Sequence, residues 1–367
     1  VIKLFSMFSG YGGAEFALKK AGIDYECIGF SEIDKYAIQC YKQNHEGLNH
    51  GDATKINPHL LQDFDLLTGG FPCQSFSVAG KGLGEQDTRG TLFYEIVRVA
   101  EIKQPKFMLL ENVKGLTNKT HKETFAKILS ELDRIGYDVQ WKVLNTKEHG
   151  IPQNRERVFF ICIRKDINIK FEFPKTEELQ LFLKDILEDE VEDKYYLKQE
   201  QVDRLLERTD VTPDVTEPSV FDVYNRKVKT DGTCITLTEP HHNNLRLIEP
   251  KILNPLKGKT DNGWHFEQNV YDPEGISRSL KAGGGSGNTP KILTIGNYSP
   301  SNHSASRIVD QNNSRIRKLT PTECFRLMGF LDDNINLDDL SNTQKYKLAG
   351  NGWDINLVSK IFLNLLK

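Results

Sequence analysis

Residues 69–77 read GGFPCQSFS, and Cys73 is the residue there with the most chemistry to offer. An apolar strand candidate at 64–67 runs into this stretch, and the glycine-rich GKGLGEQDTRG follows at 80–90. A cysteine on a stiff Pro72-Cys73 turn at a strand end, with a flexible loop behind it, reads as a presented nucleophile, because the exposed thiolate is the reactive form. The alternative is a small apolar residue in a buried turn, since free cysteine is often buried. Carboxylates also stand where apolar runs end: Glu32 after ECIGF, Asp52 after a third short segment, and Glu111 after KFMLL. Singly, each reads as readily as a cap or turn residue.

The first apolar run, IKLFSMF at 2–8, leads into FSGYGGAEFALKKAG. Ala14, Ala17, Leu18 and Ala21 recur at helical spacing, so the pattern is strand, glycine turn, helix. Gly10, Gly12 and Gly13 allow close approach of the backbone to a ligand, and a helix start offers unpaired N–H groups. A dinucleotide fingerprint needs a third glycine where Glu15 stands, so the NAD pattern is not met. Glu32 lies at the right distance to take the ribose hydroxyls of an adenosine. Asp34 is placed to cap a helix beginning at Lys35, and Asp52 to accept from an adenine amino group.

These residues need a scaffold that brings strand ends together. Further helices are expected at 90–102 and 121–135, with strands at 106–110, 141–145 and 158–163. Strands alternating with helices through about residue 165 predict an α/β fold with a doubly wound, mostly parallel sheet. In such sheets ligands collect at the carboxyl ends of the strands. The glycine turn, Glu32, Asp52, Cys73 and Glu111 all fall there.

Beyond about residue 174 the character changes. The segment 177–214 carries 13 acidic and 5 basic residues, whereas 241–320 carries 11 basic and 6 acidic. The second region has short β-like runs, many Asn, Gly, His and Ser, and the flexible KAGGGSGN at 281–288. It reads as a separate, irregular β-containing domain, with GTCITLTEPHHNN and ISRSLKAGGGSGN as a weak repeat. Its local basic surface matters more for phosphate binding than the whole-chain net charge of −3, because screening confines each charge to about 10 Å. Regular structure is expected again from Arg317, with Thr320 as an N-cap, Pro321 at the first helical position and Glu323 in a capping box. A turn and an amphipathic helix end the chain.

At 367 residues the chain can bury a large core and is expected to form one large and one smaller domain. Six scattered cysteines with no CxxC pair argue against zinc and against a disulfide framework. With no long apolar run and no signal-peptide pattern, a soluble cytoplasmic protein is expected.

The ordered set FSGYGG, Glu32, Gly51-Asp52, GGFPCQSFS, DTRGTLF, ENV, QNRER, RKLTPTECFRLMGF and a terminal GN resembles the bacterial-type DNA (cytosine-5)-methyltransferases over nearly the whole chain. The resemblance implies an S-adenosylmethionine-dependent methyltransferase fold at 1–173 and 317–367, with a target-recognition domain at 174–316. It makes Cys73 the nucleophile that adds to ring carbon 6 of a flipped cytosine. Glu111 becomes the carboxyl that meets ring nitrogen 3, Arg157 the holder of the base carbonyl oxygen, and Arg155 a neighbour that orders the site. S-adenosylmethionine is implied as cofactor, with Phe8, Gly10, Gly12, Glu32, Asp52, Phe71 and Asn351 around it. Gln74, Ser77, Arg89 and Asn351 are implied to contact DNA, and 80–90 to form a mobile lid.

Double-stranded DNA is the implied partner, with a restriction endonuclease acting separately on the same site. A monomer without a metal is expected, associated with the nucleoid when bound to DNA. The Cys-Phe-Thr signature associated with a tRNA-modifying branch is absent, and the intact Cys73, Glu111 and Arg157 argue against a silent DNA-binding homologue. The chain departs from the family in GNGWDIN, where Gly352, Trp353 and Asp354 replace the usual small and aliphatic residues after GN.

Overall fold

Neighbouring residues along the apolar strands enter opposite cores. Leu4, Leu66, Leu109 and Ile161 belong to one buried cluster, while Phe5, Leu67, Leu110 and Phe160 belong to another. Successive strand side chains point to opposite faces, so a sheet that is apolar on both faces needs helices on both. A computed structural model describes residues 1–71, 92–196, 198, 200, 220–222, 227–229, 270–271, 277–278, 291–295, 314–332 and 334–367.

In chain order the elements of the first part are β1 (Ile2–Met7), α1 (Gly13–Lys20), β2 (Tyr25–Ser31), α2 (Lys35–Asn44), β3 (Leu66–Gly70), α3 (Leu92–Lys103), β4 (Phe107–Val113), α4 (Lys122–Arg134), β5 (Tyr137–Asn145), β6 (Gln153–Asn154) and β7 (Glu156–Arg164). Six of the strands form one sheet in the order β2-β1-β3-β4-β7-β5. The pairings β1–β2, β1–β3 and β3–β4 are parallel, whereas β7 runs antiparallel to both β4 and β5. The doubly wound, mostly parallel sheet expected from the sequence is therefore present, with one reversed strand inside it.

That reversal positions the site. The carboxyl ends of β1 to β4 share one edge, and β7, being reversed, begins at that same edge.

The third short segment expected before Asp52 is not a strand. Only an isolated parallel bridge joins Asn49 to Phe30. Gly47 and Gly51 take φ values of 135° and 69°, which interrupt extended backbone. The strand expected at 141–145 begins earlier, at Tyr137. It is an edge strand with Trp141 43% exposed, so polar residues break up the apolar run that sequence patterning relies on.

Helix ends follow local rules. Asp34 caps α2, its Oδ1 accepting from Tyr36 N at 2.9 Å and Ala37 N at 3.1 Å. In the last part of the chain lie α5 (Pro321–Arg326), α6 (Asn342–Asn351) and α7 (Ile355–Leu366). The capping box on α5 is present, with Glu323 N donating to Thr320 Oγ1 at 3.2 Å and Thr320 N donating to Glu323 Oε2 at 2.7 Å. Amphipathic α7 packs against α1 and buries Ile355, Leu357, Val358, Ile361, Phe362 and Leu365. Ala17, Leu18 and Ala21 lie in the same core.

Between these parts, β8 (Val220–Asp222) and β9 (Lys227–Lys229) pair antiparallel. β10 (Val270–Tyr271) runs parallel to β12 (Lys291–Ile295), which pairs antiparallel with β13 (Ser314–Lys318). β11 (Ser277–Arg278) lies parallel to β6. The stretch leading into this region rests on α5: Arg326 Nη1 donates to the Ile186 and Leu187 carbonyls at 3.0 and 3.1 Å, and Glu188 N to Glu323 Oε1 at 2.9 Å. The glycine-rich 281–288 segment and, apart from β11, the weak repeat lie outside the described residues.

Candidate active site

The turn after β1 has left-handed backbone at Phe8, Gly10 and Gly12, with φ of 55°, 57° and 87°. A side chain at Gly10 would meet nothing within 4 Å, so a ligand has an open approach to the backbone there. Gly12 is constrained differently: a Cβ would stand 2.3 Å from His45 Cδ2. His45 packs edge-on against Phe16, ring centroids 4.4 Å apart. Burial pushes the His45 imidazole down to about 3, and the Lys19 charge adds to the effect. His45 is thus a neutral packing support for the turn.

Glu32 closes the turn from the end of β2. Its Oε2 accepts from Gly10 N at 2.9 Å, and its Oε1 from Ile33 N and Asp34 N at 2.8 and 2.9 Å. A carboxylate offers about four lone-pair sites, so Oε2 keeps acceptor capacity for one more donor. Asn49 fastens the neighbouring segment: its Oδ1 accepts from Glu32 N at 3.2 Å and Gly51 N at 3.0 Å. Asp52 follows, its Oδ1 accepting from Thr54 N at 3.0 Å and Thr54 Oγ1 at 2.8 Å. Those hydrogen bonds hold its carboxyl below the usual range, so an exposed acceptor stands beside the turn.

Glu111 and Arg157 meet at the end of β4. In the antiparallel register Val113 faces Arg157 and Glu111 faces Phe159, which makes Glu111 and Arg157 diagonal neighbours on one face. Arg157 Nε lies 2.9 Å from Glu111 Oε1, with the side chains 17% and 13% exposed. Burial pushes the Glu111 carboxyl up, while the Arg157 and Arg155 charges and a hydrogen bond from the Trp353 indole pull the other way.

Arg155 is buried behind this pair. Its Nη2 donates to the carbonyls of Gly350 and Gly352 at 3.2 and 2.7 Å. Burial, with Arg157 adding, pushes its guanidinium down to about 9. Tyr11 Oη donates to the Trp353 carbonyl at 2.5 Å. A Cβ on Gly352 would lie 1.8 Å from the Tyr11 ring. Gly352 therefore leaves the room that the Tyr11 ring fills.

The structure brings Phe8, Gly10, Gly12, Glu32 and Asp52 to one end of this edge, and Glu111, Arg155 and Arg157 to its middle. Phe71 is buried, its ring 5.4 Å from that of Phe93, and its carbonyl accepts from Asn112 Nδ2 at 2.9 Å. Its ring thus points into the core. Asn351 is the exposed last residue of α6. Cys73, Gln74, Ser77, Arg89 and the proposed lid at 80–90 lie outside the described residues. Tyr11 and Asn49 were missed by sequence reasoning, since no local signal marks them. Trp353 was visible only as a departure, without a role. Among the described residues no group of three His, Cys, Asp or Glu is arranged to hold a metal ion, and no helix is long and apolar enough to cross a membrane.

The sheet order, with one reversed strand, and the glycine turn at its edge define a methyltransferase-type α/β fold. Solved structures with this fold include Schizosaccharomyces pombe Dnmt2 methyltransferase, at TM-score 0.65 and 18% identity, covering 100% of this chain and 98% of that one. The model of the C-5 cytosine-specific DNA methylase family matches residues 2–367, and the chain belongs to that family. Among similar proteins, the orphan methyltransferase M.SPBetaI of Bacillus phage SPbeta is 33% identical over 453 residues, covering 100% of this chain and 97% of the relative. The type II methyltransferase M.HhaI of Haemophilus parahaemolyticus is 33% identical over 366 residues, covering 99% and 94%. The protein is a DNA cytosine-5 methyltransferase, an S-adenosylmethionine-dependent enzyme class.

Proposed function

We propose that methyl transfer in this enzyme runs through Cys73, Glu111 and Arg157, on a cytosine rotated out of double-stranded DNA. The observation that carries the reading is the Glu111–Arg157 pair at the end of β4, next to the β3 end from which Cys73 follows. Gly70 and Glu111 are register partners, and Cys73 is three residues further on, a reach of about 10 Å.

The Cys73 thiolate adds to ring carbon 6. The electron pair displaced from the 5,6 double bond moves through the ring toward nitrogen 3, where Glu111 supplies a proton. Arg157 donates to the base carbonyl oxygen as negative charge grows there. Carbon 5 becomes enamine-like and nucleophilic. After it gains the methyl group, it loses its proton to water, the 5,6 double bond re-forms as the thiolate leaves, and nitrogen 3 returns its proton to Glu111. The buried setting that raises Glu111 suits this role, because a carboxyl must still carry its proton near neutral pH to donate it.

The residues present fit S-adenosylmethionine. Gly10 is open to a ligand, Glu32 Oε2 can accept from a ribose hydroxyl, and Asp52 is an exposed acceptor for the adenine end. When bound, S-adenosylmethionine supplies a methyl group on a positively charged sulfur. Phe8 and Gly12 complete the turn, Phe71 contributes through its main chain, and Asn351 closes the corner. Arg155 orders the site by tying the loop before β7 to the end of α6.

The target base is out of reach for this geometry within a stacked duplex, so it is flipped into the site. Gln74, Ser77 and Arg89 contact the DNA, residues 80–90 close over it, and the basic 241–320 region meets phosphates. Residues 174–316 choose the sequence, in a restriction–modification or phage–host protection setting. The relatives' names support that setting: one is an orphan phage enzyme and another a type II enzyme.

The test is methylation of DNA of mixed sequence followed by bisulfite sequencing, with the wild type and Cys73→Ala. Wild type is expected to mark cytosine within one sequence context. The variant should bind DNA and mark nothing. Full activity in Cys73→Ala would remove the nucleophile assignment.

A further inference from the structure

Trp353 stands where the family pattern usually has an aliphatic side chain, and two glycines and Tyr11 border it. It is half-buried in a slot floored by two glycines. A Cβ on Gly70 would lie 3.0 Å from the indole Nε1, and a Cβ on Gly13 would lie 3.1 Å from Trp353 Cβ. Tyr11 holds the Trp353 carbonyl at 2.5 Å, in space that only glycine at 352 leaves free. The indole therefore reaches from the start of α1 to the ends of β3 and β4.

Its Nε1 stands beside Glu111 at that position and helps hold the carboxyl in its charged form. The same Gly70 position lies 3.4 Å from Glu111 Oε2, whereas Arg157 Nε occupies Oε1 at 2.9 Å. Indole and guanidinium are donors only. On the Trp353 and Arg157 sides the carboxyl can therefore only accept. When Glu111 is protonated, its O–H finds no acceptor on the side chains of Trp353, Arg157 or Arg155.

We propose that Trp353 is a positioning residue for Glu111: indole and Arg157 hold the carboxyl between them so that its single O–H is turned toward the incoming base. This rests on the reading of Glu111 as the group that meets ring nitrogen 3. It gives the GNGWDIN departure a function, since an aliphatic residue at 353 has no side-chain N–H to offer.

The indole N–H favours the carboxylate form of Glu111, so removing it raises the Glu111 pKa further. Activity that needs protonated Glu111 is lost as pH rises through that pKa. Without the indole N–H this alkaline limb therefore moves to higher pH, by about one unit for one hydrogen bond to a charged group.

The experiment measures kcat/KM against pH for the full chain, with plasmid DNA and radiolabelled S-adenosylmethionine, in Trp353→Phe, Trp353→Val and Glu111→Gln. Cofactor Kd by calorimetry and Tm are measured alongside. Trp353→Phe keeps the ring and loses the N–H. Its limb is expected to move up by about one unit and its kcat to fall about tenfold, with Kd and Tm unchanged. Trp353→Val is expected to show the same limb shift with a lower Tm, and it carries the test if the Phe variant does not fold. A limb that coincides with wild type, or one whose shift is matched by loss of cofactor affinity, overturns the inference. Glu111→Gln separates the two readings. Near-wild-type turnover there removes the Glu111 role and this inference with it. An inactive Glu111→Gln beside an unshifted Trp353→Phe removes only the role of Trp353.

Discussion

Arg157 Nε lies 2.9 Å from Glu111 Oε1 because β7 runs antiparallel to β4 and so begins where β4 ends. A parallel β7 would put Arg157 at the opposite edge of the sheet. Glu111→Gln keeps the shape of the side chain and removes the titrating proton. Turnover is expected to fall by about 10²-fold or more with DNA affinity retained, read by single-turnover methylation and a gel-shift titration. Arg157→Ala removes a charge that holds the Glu111 carboxyl down. It is expected to cost about 10²–10³ in kcat.

Glu32 serves two ends at once, accepting from Gly10 N in the glycine turn and from Ile33 and Asp34 N at the start of the α2 cap. Glu32→Ala is expected to weaken S-adenosylmethionine binding by about 10–100-fold, the worth of hydrogen bonds to a charged group. Calorimetric titration of the protein with cofactor checks this. An unchanged Kd would take Glu32 out of the cofactor site.

Gly352 and Tyr11 are coupled by shape. Gly352→Ala would place a Cβ 1.8 Å from the Tyr11 ring, and Tyr11 is packed against Phe325 and Phe330 at centroid distances of 5.6 and 5.7 Å. The substitution is expected to destabilise by about 1–3 kcal/mol through overpacking. Tyr11→Leu should also destabilise, by opening a cavity. The double variant should lose less than the sum, with an interaction energy of about 0.5–3 kcal/mol, measured by urea denaturation.

His45 makes stability depend on pH. Its folded pKa, about 3, lies below the unfolded value of about 6.5. Above pH 6.5 both states are neutral at this group and its contribution is fully present. As pH falls from 6.5 toward 3, the unfolded chain takes up a proton that the folded chain refuses. Stability then declines with a slope of at most about 1.4 kcal/mol per pH unit. His45→Phe keeps an aromatic ring against Phe16 and should flatten the difference in unfolding free energy between pH 7 and pH 5. Equal slopes in the two proteins would refute the assignment.

Thr320 joins two parts of the chain. It caps α5 through Glu323, and its hydroxyl also bonds to the Glu188 carboxylate. Thr320→Ala is expected to cost about 1–2 kcal/mol as a lost cap. Faster proteolysis in the 177–196 segment should accompany it, because Glu188 loses a fastening. Thermal unfolding and limited proteolysis read the two effects.

Several of these features were open to a reader of the sequence because they are local. The alternation that sends Leu66 and Leu67 into different cores shows as a short apolar run at a strand. The Asp34 cap and the Thr320 box are fixed by residues two or three positions apart. Glycines at 10 and 12 announce a turn that other residues resist. Glu111 stood out as a carboxylate at a strand end, and the family resemblance added Arg157 and a role for each, a pair that spacing alone would not have joined.

What only the tertiary structure decided depends on chain segments far apart in sequence. The reversal of β7, which brings Arg157 to Glu111, is a choice of strand direction that hydrophobic pattern does not encode, since a strand reads alike both ways. Arg155 finds its partners at Gly350 and Gly352, and Tyr11 meets Trp353 across 342 residues. A glycine, a tyrosine and a tryptophan at those positions look unrelated along the chain. Close packing makes them one unit, because the Tyr11 ring fills the space that Gly352 leaves and its hydroxyl holds the Trp353 carbonyl.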